Sequence, residues 1–446
     1  MNKLIIKNAQ LVNEGKISAG DLLIEGERIS KIERSISHPD VEIFDAKGHY
    51  LIPGCIDDQV HFREPGLTHK ANIASESAAA VAGGITSFME MPNTIPNALT
   101  KELLEDKYQI AKHHSFANYS FYMGVSNDNL EEVLKVNYDK VCGIKVFMGS
   151  STGNMLVDNV TVLENLFKNA SVLIATHCED ETIIQTNLQA AKDKYGANIP
   201  VTEHPNIRNR EACFTSSSFA IDLAKKYNSR LHILHISTKE ECELFKKTTS
   251  LNEKRITAEA CVHHMYFNET KYPELGNLIK CNPAIKTAED SDAIAMALKN
   301  TQLDVVATDH APHTWDEKQG AYLQAPSGLP LVQHSLSLML NLGERYHWDL
   351  PFIVEKMAHN PAICFQIKDR GFLREGYYAD LVLIDPAINT MVRKSELLYK
   401  CAWSPLEGVE LKGKVLSTFV NGRQVFDGKK INHNLVSQRL EFNRIH

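Results

Sequence analysis

Apolar and polar positions along the chain fall into three textures. Residues 3–50 run in short extended patterns: Leu4-Ile5-Ile6, the stretch 21–29 with Gly26 near its centre, and Val41-Glu42-Ile43-Phe44-Asp45. Such patterns, broken by turn residues, predict β-strands joined by tight hairpins. A similar texture returns in Ala379-Asp380-Leu381-Val382-Leu383-Ile384-Asp385 and over 417–427, where Asn421-Gly422 is a type I′ hairpin signal. The middle has a different rhythm. Eight short apolar runs lie at 51–57, 86–91, 120–124, 144–148, 172–177, 231–236, 256–260 and 305–309. The spacers read as Ala-rich or charge-patterned helices, for example 75–82, 101–112, 160–169, 212–226 and 290–299.

Eight strand–helix alternations predict an α/β fold of the (β/α)8 TIM type rather than a doubly wound sheet. The β-rich ends predict a small β domain formed by the N- and C-terminal segments, 1–50 plus 366–446, around a barrel over 51–365. A length of 446 residues is ample for such a barrel.

Barrels of this kind carry their chemistry at the C-terminal ends of the strands. Here those ends are rich in ligating groups. The first run closes on Asp57, Gln59 and His61, which share a parity, with Arg63 just beyond. The second leads into Glu90-Met91-Pro92-Asn93-Thr94, the fourth contains Lys145, and the fifth ends in Thr176-His177-Cys178-Glu179-Asp180. The sixth ends at His235 and the eighth in Thr308-Asp309-His310-Ala311-Pro312-His313. Imidazole, carboxylate and a strand-borne lysine on one rim predict a divalent metal, zinc before magnesium. His232, three residues before His235, is expected on the opposite face in a structural role. His113-His114 is expected in solvent, only one of His263-His264 can face the barrel interior, and His310 is left unassigned. Lys145, flanked by Ile144 and Val146, is expensive to bury charged and alone. Two readings follow: an ion pair with Asp57 or Asp309, or a carbamate formed with CO2 that serves as an anionic bridging ligand.

Composition removes other classes. A net charge of −7 and a pI near 6.3 give no polycationic footprint for nucleic acid. Nine scattered cysteines without a Cys-x-x-Cys argue against a disulfide framework or structural zinc cluster. No apolar run approaches the ~20 residues of a membrane span, and the N-terminus is too short and polar for a signal peptide. The expectation is a soluble, cytoplasmic protein.

Taken in order, His61-Phe62-Arg63-Glu64-Pro65-Gly66, Met91-Pro92-Asn93-Thr94, Thr176-His177-Cys178-Glu179-Asp180, Cys281-Asn282-Pro283 and Thr308-Asp309-His310-Ala311-Pro312-His313 resemble the dihydroorotases of the amidohydrolase superfamily. The C-terminal segment Gly376-Tyr377-Tyr378-Ala379-Asp380-Leu381-Val382-Leu383 is similar to their return into the small β domain. The resemblance covers nearly the whole chain. It implies a distorted barrel and the reversible, metal-dependent cyclisation of N-carbamoyl-L-aspartate to (S)-dihydroorotate in pyrimidine synthesis. By the same likeness His61, Lys145 (carboxylated) and Asp309 hold one zinc ion, and Lys145, His177 and His235 a second. Asp309 also carries the proton, while Arg63, Asn93 and His313, with Asn282 nearby, hold the substrate.

One position departs from the pattern. Gln59 stands where such enzymes carry the first histidine of His-x-His, so the first metal position is expected to be weaker, with Gln59 a poor ligand or none. Expected partners are a small-molecule substrate, further copies of the chain and, as in some relatives, an aspartate transcarbamoylase. The rival readings are an allantoinase- or hydantoinase-type cyclic amidohydrolase and a non-catalytic scaffold for a transcarbamoylase. Arg63 speaks for a substrate with a carboxylate. Residues 312–330, rich in Gly and Pro, are expected to form an active-site loop.

Overall fold

The computed structural model describes residues 3–149, 155–247, 250–433 and 436–444. Eight successive strand positions form the barrel: Cys55–Val60, Ile85–Glu90, Asn118–Phe121 continued by Met123–Gly124, Ile144–Phe147, Ile174–His177, Leu231–Ile233, Ile256–Cys261 and Val305–Ala307. Neighbours pair in parallel throughout. The ladder breaks at Tyr122, leaving a three-stranded and a six-stranded arc. At the other seam the arcs meet through the Val60–His310 bridge and a His61 N–H donated to the His310 carbonyl at 2.7 Å. Two loose seams make the barrel distorted.

Alternation along the strands sorts their side chains into two cores. Phe88, Ile174, Ile233 and Val306 pack outward against the helices. Their chain neighbours Met89, Ala175, Leu234 and Val305 join Ile56 and Tyr122 in an inner plug. Phe365, Leu440 and Phe442 are part of that plug. The helices start where a side chain can take up their free N–H groups. Asn209 caps Arg210–Tyr227, Thr100 caps Lys101–His114, and Thr287 with Asp290 forms a capping box on Ala288–Lys299. Helices 210–227 and 288–299 therefore start two residues ahead of the apolar periodicity, and 101–114 runs two residues past its end.

Both ends of the chain meet in one eight-stranded sheet. Its main path runs Arg423–Phe426, Glu410–Val420, Leu381–Met391, Tyr50–Pro53, Lys3–Asn13, Lys16–Glu25 and Arg28–Glu33. Here the sequence pattern needs correcting. Tyr50–Pro53 pairs with Leu381–Met391, so the apolar run at 51–57 is two elements, not one. Gly54 separates them, because a Cβ there would lie 2.0 Å from Thr86 Oγ1. A buried polar latch joins sheet to barrel: Asp380 receives Arg370, the Asn118 side-chain amide (Nδ2 3.2 Å from each oxygen) and the Asn421 N–H at 2.8 Å. The final segment returns to the barrel, where Leu440 N–H donates to the Tyr119 carbonyl at 2.9 Å.

All nine cysteines are free, and all but Cys401 are buried. Among the described residues no helix is long and apolar enough to cross a membrane.

Candidate functional site

At the C-terminal rim of the barrel lies a cavity of about 530 Å³. Gln59, His61, Arg63, Asn93, Lys145, His177, His235, Asn282, Asp309 and His313 all line it. The metal and substrate residues that the family resemblance implies thus lie in one place. Backbone bends at the strand ends aim three of them inward: Arg63, His235 and Asp309 have φ of 69°, 38° and 47°, a region that non-glycine residues rarely adopt.

The imidazoles form two groups. His177 Nδ1 and His235 Nε2 face each other at 2.9 Å. The other His177 nitrogen meets Glu179 Oε2 at 2.9 Å, and Arg208 grips the same carboxylate with Nη2 at 2.6 Å. Burial alone would raise the Glu179 pKa, but Arg208 and His177 hold it well below the usual carboxylate range. An ionised carboxylate on the rear nitrogen fixes the ring and increases its basicity toward a ligand in front. On the opposite side Asn93 Oδ1 lies 2.8 Å from His61 Nδ1, and His61 Nε2 lies 3.1 Å from Asp309 Oδ1. Burial lowers the pKa of His61, His177 and His235, which favours the neutral, ligating imidazole.

Gln59 takes a definite role. Its Nε2 donates to Asp309 Oδ1 at 3.0 Å, alongside His61. The side chain at the missing-histidine position thus presents a hydrogen-bond donor to Asp309. Lys145 is buried, with Nζ 4.4 Å from the centre of the Phe147 ring. Among the described residues it makes no ion pair. Asp57 is engaged by Thr308, whose hydroxyl donates to it at 2.6 Å, and Asp309 by Gln59 and His61. Burial draws the lysine amine down to about 7. The ion-pair reading of Lys145 is therefore not what the structure holds.

Arg63 is the other buried cation. Its Nε donates to the Pro312 carbonyl at 3.1 Å, and Nη2 lies 3.1 Å from His313 Nε2. Burial lowers it to about 10, and no carboxylate of the described residues pairs with it. Lys70 donates to His313 Nδ1 at 3.0 Å and pairs with Glu317 at 2.8 Å. The 312–330 loop folds over this side, with Pro326, Ser327 and Gly328 lining the cavity. Lys318, inside the loop, donates to the Pro326 and Gly328 carbonyls at 2.9 Å each.

Two expectations fail in the first strand and the sixth. Asp57 does not line the cavity, because the register shifts between Asp57 and Val60 and breaks strict alternation. His232 is not on the face away from the interior. It meets Asp58 at 3.2 Å, and strands one and six can touch only across the lumen. His113 and His114 are exposed as expected, whereas His263 and His264 are both buried. Glu179 and Thr308 stand inside the strand-end motifs, but Arg208 and Lys70 carry no pattern that marks them in advance.

The donor set fits a divalent metal: two neutral imidazoles face each other, a third stands beside a carboxylate, and burial draws the lysine amine down to about 7. The model of the amidohydrolase family matches residues 50–425. A dihydroorotase of Halobacterium salinarum is 31% identical over 431 residues, covering 96% of this chain and 97% of that protein. A dihydroorotase of Clostridium acetobutylicum is 31% identical over 442 residues, covering 96% and 100%. Among solved structures, an L-hydantoinase (dihydropyrimidinase) from Arthrobacter aurescens superposes with a TM-score of 0.93 at 25% identity, covering 99% of this chain and 100% of its own.

Proposed function

The chain belongs to the amidohydrolase family, and from that premise we propose that it is a dihydroorotase. It interconverts N-carbamoyl-L-aspartate and (S)-dihydroorotate by making and breaking a ring amide. The observation that carries this reading beyond the family is Arg63, a buried guanidinium on the cavity wall with no carboxylate partner among the described residues. A buried cation of this kind calls for an anion, and dihydroorotate brings a carboxylate that a guanidinium can grip through two parallel hydrogen bonds. The parent hydantoin and dihydropyrimidine rings, for which the structural neighbours are named, carry no carboxylate. Retention of Lys145, His177, His235 and Asp309 also disfavours a non-catalytic scaffold.

His61, Lys145, His177, His235 and Asp309 would hold zinc, as one or two ions. When bound, the metal polarises the amide carbonyl and makes water a competent nucleophile near neutral pH. The other tasks fall to the chain. Neutral Lys145 Nζ would add to the carbon of CO2, forming an N–C bond and releasing a proton, to leave an anionic carbamate able to serve as a ligand. Asp309 takes the proton of the attacking water and delivers it to the departing ring nitrogen. Asn93 holds His61 with Nε2 forward, and Arg63 with His313 orients the substrate.

Purified zinc-loaded protein should convert L-dihydroorotate to N-carbamoyl-L-aspartate and back, and chelation should abolish both directions. A fully metal-loaded protein inert toward both compounds would overturn the assignment.

A further inference from the structure

One layer below the cavity floor, the lumen holds a second polar cluster that ring opening does not use. Asp58 from the first strand, His232 from the sixth and Glu259 from the seventh are each 0% exposed. His232 Nε2 lies 3.2 Å from Asp58 Oδ2 and 4.0 Å from Glu259 Oε2. The remaining atoms of two of these residues are occupied. His232 Nδ1 meets the Thr257 hydroxyl at 2.8 Å, while Glu259 Oε1 accepts the His235 N–H at 2.9 Å and the Cys261 thiol at 3.0 Å. The atoms left over are unsatisfied. Both Asp58 oxygens, Glu259 Oε2 and His232 Nε2 have no hydrogen-bond partner.

Buried polar atoms are nearly always paired, and four unpaired ones on three neighbouring side chains need an explanation. No lysine or arginine of the described residues forms an ion pair with Asp58 or Glu259. Donor atoms from all three side chains fall within 4.8 Å of one another. Tetrahedral donors about 2.1 Å from a zinc ion stand roughly 3.4 Å apart. The observed 3.2 and 4.0 Å bracket that edge. One imidazole nitrogen with two carboxylate oxygens suits zinc, whereas calcium calls for about six to eight oxygens.

We propose that Asp58, His232 and Glu259 bind a structural zinc ion inside the barrel, beneath the rim site and sharing no ligand with it. Its three ligands come from three strands, so it pins the lumen and binds only the assembled barrel. Because no ligand is shared, this site and the rim assignment can fail separately.

The test is an anomalous difference map from crystals of the full-length zinc-loaded protein, recorded on both sides of the zinc edge. The expected result is a peak between Asp58, His232 and Glu259 in addition to zinc at the rim. Asp58→Asn should lose that peak and one zinc per chain while the rim zinc stays. A map with rim zinc but no peak in the lumen would overturn the proposal, as would an Asp58→Asn protein with unchanged zinc content. If that variant does not fold, the map of the natural protein decides alone.

Discussion

Lys145 and Gln59 are the two residues whose chemistry departs most from what their side chains do elsewhere. Burial draws the Lys145 amine down to about 7. Only the neutral amine adds CO2, and an exposed lysine would stay charged to a pH near 10.5. Reactivation of metal-stripped, CO2-free protein by bicarbonate and zinc should therefore rise with pH through about 7 and then level off. A rise centred near 10 would show a solvated, ordinary lysine. Lys145→Ala should lose bound metal and activity together. Gln59, by donating to Asp309, occupies that carboxylate with a hydrogen bond where a histidine ligand would have left it to the metal. Limited chelation should strip the site of His61 and Asp309 before that of His177 and His235, and Gln59→His should narrow the difference. Simultaneous loss of both metals from the natural protein, followed by metal analysis against chelator concentration, would show that Gln59 compensates fully.

Secondary elements place these residues through contacts that span long sequence distances. Glu179 is the link between Arg208 and His177, so Glu179→Gln should weaken metal binding about 10- to 100-fold, measured by competition with a chelator, with little change in fold. The latch on Asp380 works between domains. Arg370 and Asp380 are both buried, and Arg370→Ala would leave that carboxylate without its guanidinium. It should cost about 3–5 kcal/mol of stability in a denaturant titration. A loss below 1 kcal/mol would show that the two Asn118 contacts and the Asn421 N–H suffice. The strands and helices themselves were legible because apolar runs and helical periodicity are local signals. Their ends were less so: Gly54 splits one run in two for steric reasons, and the register shift after Asp57 turns Asp58 inward.

At the scale of the molecule, the barrel rule made the rim readable. Each strand contributes its chemistry at its own C-terminal end, so motifs far apart in sequence could be assigned to one cavity before any distance was known. Partners within the lumen could not be assigned in that way. Asp58, His232 and Glu259 lie on different strands, and nothing in the sequence says which residues meet across a barrel. The same holds for Asn118 and Asp380, or for Arg208 and Glu179. The central claim is that this cavity selects a cyclic amide bearing a carboxylate, and Arg63 is where that claim can be tested. The measurement is kcat/KM for L-dihydroorotate and for dihydrouracil, the same ring without the carboxylate, in the natural protein and in Arg63→Met. Loss of a buried charged contact costs about 2–5 kcal/mol, or roughly 30- to 5,000-fold. The account predicts a drop of that size for dihydroorotate only, with metal content and the slow turnover of dihydrouracil unchanged. Undiminished turnover of dihydroorotate by metal-loaded Arg63→Met, or equal use of both rings by the natural protein, would contradict it.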